Sequence, residues 1–81
     1  MSCAEILQRC FRAGLALAPT FDVTSAESGL LRQWDSVAHL QLVVAIEDAF
    51  GIQLSPADVV ELISYPAAVG ILRHHGAWRD A

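Results

Sequence analysis

Ser36 is the hydroxyl in this chain best placed for chemistry. Asp35 precedes it and an amphipathic run follows it, so Ser36 stands at the N-terminus of an expected helix. There the first backbone N–H groups lack helical partners and the dipole is positive, which favours a phosphate. A phosphodiester on the Ser36 oxygen would be electrostatically welcome at that place. On position alone, capping the helix is the simpler role for this serine. Asp35 can take the capping duty instead and leave Ser36 free to be modified. A hydrolase nucleophile, by contrast, needs a base and an orienting acid. Asp35 is the immediate neighbour of Ser36, His39 turns inward, and there is no Gly-x-Ser-x-Gly elbow. No catalytic residue is therefore assigned, and an enzyme is not expected.

The other reactive side chains form weaker patterns. Cys3 and Cys10 are seven positions apart. On one helix that is roughly 10.5 Å along the axis, too far for a disulfide, whose Cα atoms lie within about 7 Å. Two free thiols are expected, in a reducing compartment. His74 and His75 are adjacent, point about 100° apart on a helix, and have no evident third ligand. They suit the negative end of a helix dipole, and no metal is expected. His39 falls within an apolar stripe and reads as a partly buried histidine with one hydrogen-bond partner. Trp34, beside Ser36, either anchors a loop or lines a pocket.

Helical periodicity dominates the chain and predicts an all-α fold. Cys3, Ile6, Leu7, Cys10, Phe11 and Gly14 form one stripe of a first helix over residues 3–17, with Pro19 just past its end. A long loop follows over 18–34, rich in turn residues and pinned to the core by Phe21, Val23, Leu30, Leu31 and Trp34. A loop of this length is usually functional or hides a short helix. The second helix is expected over 36–50, capped by Gly51. Ser55 as N-cap and Pro56 at the first position start a short third helix ending near Leu62 or Ile63. A fourth runs over 66–74 after Ser64 and ends at Gly76, leaving a frayed tail over 77–81.

The second helix carries two apolar stripes. With about 100° per residue measured from Ser36, Leu42, Val43, Ile46 and Phe50 fall between about 240° and 340°, an ordinary core face. Val37, Leu40 and Val44 fall between about 40° and 100°, among Ser36, Gln41, Glu47 and Asp48. A small bundle needs one apolar stripe per helix. The second is either covered by the long loop or exposed as a docking surface.

Composition bounds the rest. At 81 residues and 54% apolar, the chain makes one small domain with a single core. The net charge is −4, lysine is absent, and five arginines are scattered. Nucleic-acid binding relies on clustered cations that neutralise phosphates, so it is not expected. No apolar stretch is long enough to span a bilayer, and no signal-peptide core stands at the N-terminus, so no membrane partner and a cytoplasmic location are expected.

The segment Trp34-Asp35-Ser36-Val37 resembles the Asp-Ser-Leu attachment motif of acyl carrier proteins, with Val37 in place of Leu. The resemblance continues through Leu40, Leu42, Val43, Ile46, Glu47, Asp48, Phe50, Gly51 and Ile52. It extends to Asp58, Val60, Ile63 and Pro66-Ala67-Ala68-Val69, and so covers residues 34–72. It implies a four-helix bundle with a long loop between helices 1 and 2 and a short helix 3, with 1–76 as the carrier domain. It implies that a phosphopantetheinyl transferase moves 4′-phosphopantetheine from coenzyme A onto Ser36, beside Asp35. The arm would hold an acyl-type intermediate as a thioester. Acyl-loading and acyl-processing enzymes would dock at Val37, Leu40, Val44, Glu47 and Asp48 of a monomer. Carriers of fatty-acid synthesis tend to be acidic where this chain has Ala38 and Gln41. Trp34 and His39 resemble stand-alone carriers of specialised, polyketide-like pathways. A peptidyl or aminoacyl carrier is the alternative, although the Gly-Gly usual before its serine is replaced by Trp34-Asp35. A helical interaction module that carries no cargo is a further alternative.

Overall fold

A computed structural model describes residues 2–79. Among them are four α-helices and no strand: α1 (Cys3–Leu15), α2 (Ser36–Phe50), α3 (Pro56–Glu61) and α4 (Tyr65–His74). None is long and apolar enough to cross a membrane.

Each helix starts where a side chain satisfies its open N–H groups. Ser2 and Glu5 form a reciprocal capping box on α1, and the bonds from Ser2 hold the Glu5 carboxyl below its usual range. Asp35 caps α2, Ser55 and Asp58 form a second capping box on α3, and Ser64 caps α4. α1 ends two residues before the expected Leu17. Ala16 turns into the left-handed region (φ 53°), and both it and Leu17 donate to the Arg12 carbonyl. This early stop drops the Leu17 side chain into the core. α4 starts at Tyr65, one residue earlier than the proline pattern predicts, because Ser64 already serves as its cap.

α1 and α2 form the principal helix pair. Their backbones meet at Gly14, where an added Cβ would lie 2.8 Å from Leu42 Cα. Only glycine allows so close an approach. Phe11 is fully buried, with Trp34 edge-on at a centroid distance of 5.8 Å and Tyr65 tilted against it at 5.5 Å. Leu7, Leu15, Leu42, Ile46, Leu62 and Leu72 complete the centre. The Cys10 thiol packs on the Ala45 carbonyl, and burial pushes its pKa up. Both cysteines are free thiols, as their spacing predicts.

The long loop hides one short helix, a 3-10 turn at Val23–Ser25 capped by Asp22. Val23 and Trp34 are buried, and Phe21 and Leu31 are half-buried. Leu30 is exposed and pins nothing. The loop is also stitched to the joint between α3 and α4, where Ser28 N–H donates to the Ile63 carbonyl and Tyr65 N–H to the Ala26 carbonyl. The tail is not frayed through Arg79. Ala77 and Trp78 pack on the core, the Cys3 thiol faces the Ala77 carbonyl, and Arg79 N–H reaches the Cys3 sulfur at 3.4 Å. Residues 80 and 81 lie outside the described residues.

α3 differs from the other helices in having no fully buried residue. Its backbone approaches the other helices little. Side-chain ties therefore matter for its position, one at the candidate site and one at the end of α4.

Candidate functional site

Asp35 and Ser36 divide the duties at the head of α2. Asp35 Oδ1 accepts the Ala38 N–H at 2.9 Å, and the Asp35 carbonyl accepts the His39 N–H at 2.9 Å. The cap is therefore complete without the serine. Ser36 is exposed, and its hydroxyl makes no hydrogen bond among the described residues.

Ser36 lines an open cleft of about 580 Å³ between the loop, α2 and α3. Trp34, Leu40, Val59, Val60, Leu62 and Ile63 make most of its wall apolar, and Ser28, Asp35, Ser36 and His39 supply the polar atoms. Trp34 thus fills both roles open to it: it is buried against Phe11 and it faces the cleft.

His39 is half-buried, as its stripe predicts, but it has two partners rather than one. Trp34 Nε1–H donates to His39 Nδ1 at 2.9 Å, and His39 Nε2 lies 2.7 Å from the Val59 carbonyl oxygen. The two rings lie side by side, 27° from coplanar. Both imidazole nitrogens are committed, and neither faces Ser36 as a free base.

The second stripe of α2 lies bare to solvent. Val37, Leu40 and Val44 are 65%, 61% and 53% exposed, so the loop does not cover them. Val60 and Ile63 of the α3 region are also large and exposed. Asp48 is exposed, but Glu47 is half-buried and its Oε2 accepts the Leu54 N–H at 2.9 Å. Glu47 thus fastens the α2–α3 connection. Ala38 is buried, so it is no surface place from which an acidic contact is missing; Gln41 is exposed.

The chain matches no protein-family model, no curated protein and no solved structure. Its site is therefore read from its own geometry.

Away from the cleft, His75 Nε2 lies 2.7 Å from Asp58 Oδ2 and ties the end of α4 to α3. That bond, with the Ser55 backbone bond, holds the Asp58 carboxyl below its usual range. His74 lines a second depression of about 400 Å³ with Asp58, Glu61 and Ile71. No group of three metal-ligating side chains occurs among the described residues.

The sequence reading did not identify Val59, Val60 and Ile63 as cleft residues, nor the Trp34–His39–Val59 relay. Val60 lies on α3 and Ile63 past its end, so no helical spacing pairs them in the sequence. Nothing in sequence order pairs His39 with a carbonyl twenty residues later.

Proposed function

We propose that this protein is a carrier of the acyl carrier type, with Ser36 as the attachment point for 4′-phosphopantetheine. One observation carries the reading: the Ser36 hydroxyl is exposed and unbonded at the positive end of α2, because Asp35 does the capping. The residues fit the group. The Ser36 and Val37 N–H groups lie at the open first turn, where a phosphodiester is favoured. The bound arm supplies a thiol that holds acyl cargo as a thioester.

Attachment forms a bond from the Ser36 oxygen to the phosphorus nearer the pantetheine of coenzyme A. The nucleotide half leaves, and the serine proton passes to a base of the transferase. The chain's own task is then to present the arm. Biosynthetic enzymes would dock on Val37, Leu40 and Val44, with Asp35 and Asp48 as the anionic rim. With Glu47 turned to Leu54, apolar fit weighs more than charge, because exposed ion pairs contribute only about 0–1 kcal/mol each. The resemblance over residues 34–72 and the order helix, long loop, helix, short helix, helix support an acyl-carrier-like bundle, and the reading of a specialised, polyketide-like pathway rests on the resemblance at Trp34 and His39.

The decisive experiment treats the protein with coenzyme A and a broad-specificity phosphopantetheinyl transferase. Intact mass should rise by one phosphopantetheine, and Ser36→Ala should abolish the gain. No gain with that enzyme or with a transferase from the source organism would overturn the reading.

The exposed stripe favours one further reading, a cargo-free module that binds a partner helix. In that case Ser36→Ala would leave partner binding intact while Leu40→Asp or Val44→Asp destroyed it.

A further inference from the structure

Trp34 stands between the cleft and the core. It lines the cleft beside Ser36, and its ring meets the fully buried Phe11 edge-on at 5.8 Å. Only 8% of the residue reaches solvent. Its Nε1–H donates to His39 Nδ1 at 2.9 Å, and the His39 ring stacks on it at a centroid distance of 6.1 Å. An indole N–H can only donate, so Nδ1 is the acceptor. The ring proton then sits on Nε2, where it donates to the Val59 carbonyl at 2.7 Å. Direct contacts therefore run from the loop through α2 to α3. Leu62, 1% exposed, also lines the cleft and belongs to the core.

We propose that Trp34 is a partition that keeps a tethered chain in the cleft and out of the core, and is thereby a specificity-determining residue for the cargo. This inference rests on the carrier reading, since the occupant is the acyl chain of an arm on Ser36. Such a chain starts at the wall of a largely apolar cleft, and its methylenes gain by leaving water. The core around Phe11 lies directly behind Trp34. To reach it, the chain would have to displace the indole, break its bond to His39 and leave a buried N–H without a partner. It would also forfeit the contact between Trp34 and Phe11. The cleft, at about 580 Å³ and open to solvent, asks for neither change.

The class of cargo follows. Compact acyl groups fit against Leu40, Val60 and Ile63, which line the cleft and are exposed. A long straight chain finds no route inward, and its far methylenes stay in water.

The test loads the protein from acetyl- or octanoyl-coenzyme A with a broad-specificity transferase, and intact mass confirms each loading. Contacts between the unlabelled acyl chain and isotope-labelled protein are then read as isotope-filtered nuclear Overhauser effects. In the unsubstituted chain, octanoyl methylenes should reach Leu40, Val60 or Ile63, and not Phe11, Leu42 or Ile46. In Trp34→Ala, where the partition is gone, they should reach Phe11. There octanoyl should also raise the melting temperature over acetyl by several degrees, more than in the unsubstituted chain. Should Trp34→Ala not fold, Trp34→Leu, which leaves a smaller gap, takes its place. Octanoyl contacts with Phe11, Leu42 or Ile46 in the unsubstituted chain would overturn the partition. So would contacts confined to the cleft in the folded Trp34 variant, or an octanoyl chain that touches no cleft residue in the unsubstituted protein. No mass gain from either coenzyme A thioester would sink the carrier reading, and this inference with it.

Discussion

At the scale of single residues, the site rests on a division of labour between neighbours. An aspartate that caps a helix and a serine that follows it compete for the same orphan N–H groups. Here the carboxylate holds the Ala38 N–H and the hydroxyl is left alone. Asp35→Ala removes the cap and should cost about 1 kcal/mol of stability, in the range of 0.5–2 for such losses. Asp35→Asn should cost much less, because asparagine caps comparably. Urea denaturation of the two variants checks the pair. Much of this was legible in the sequence, because caps and first turns are local. Helical angle set Val37, Leu40 and Val44 on a second stripe, but it left open whether the long loop covers them, and it is the fold that leaves them exposed. The Glu47–Leu54 bond and the His39–Val59 contact were not legible either, since each depends on how separate elements come together. A side chain's exposure at its own turn does not reveal that a backbone group from the next segment will arrive beside it.

At the scale of elements, the α1–α2 pair and α3 stand at opposite extremes of anchorage. Gly14→Ala would put a methyl group into the Leu42 backbone, where no flexible side chain can yield. A loss of about 1–3 kcal/mol is expected, the usual cost of overpacking, visible as a lower urea midpoint with an unchanged slope. Two positions away, Ala16→Gly should act in the opposite direction. Alanine holds a left-handed backbone there, at a penalty of about 1–2 kcal/mol that glycine escapes. Glycine's greater freedom in the unfolded chain returns part of that, so a net gain of several tenths to about 1 kcal/mol is expected, read as a raised melting temperature. The bounds of α2 and the start of α1 could be read from capping residues and stripe. The end of α1 could not, because it is set by Leu17 reaching the core rather than by any breaker at Ala16.

At the scale of the whole molecule, pH acts through the Asp58 carboxyl in its tie to His75. The Asp58 carboxyl is held below its usual range by His75 first and by the Ser55 backbone next. A group whose folded value is depressed contributes stability that is full above its unfolded value, near 3.9, and fades as pH falls through the folded one. Acid unfolding should therefore steepen in that low range. Asp58→Asn, which keeps a capping side chain but cannot ionise, should flatten the profile there, as measured by denaturation midpoint against pH. The all-α class was evident from periodicity, since α1, α2 and α4 each turn an apolar face into the core. The joining of the long loop to the α3–α4 joint was not, because bonds between irregular segments leave no period in the sequence.

That seam sets how freely the loop could vary in length. Residues 26–28 and 63–65 are paired amide to carbonyl, in register, whereas Arg32 and Gln33 form an exposed turn outside the pairing. A residue inserted between Ala26 and Ser28 would slide one strip past the other and cost Ile63 or Tyr65 its partner. One inserted at Arg32 would only enlarge a bulge into water, before the chain reaches Trp34.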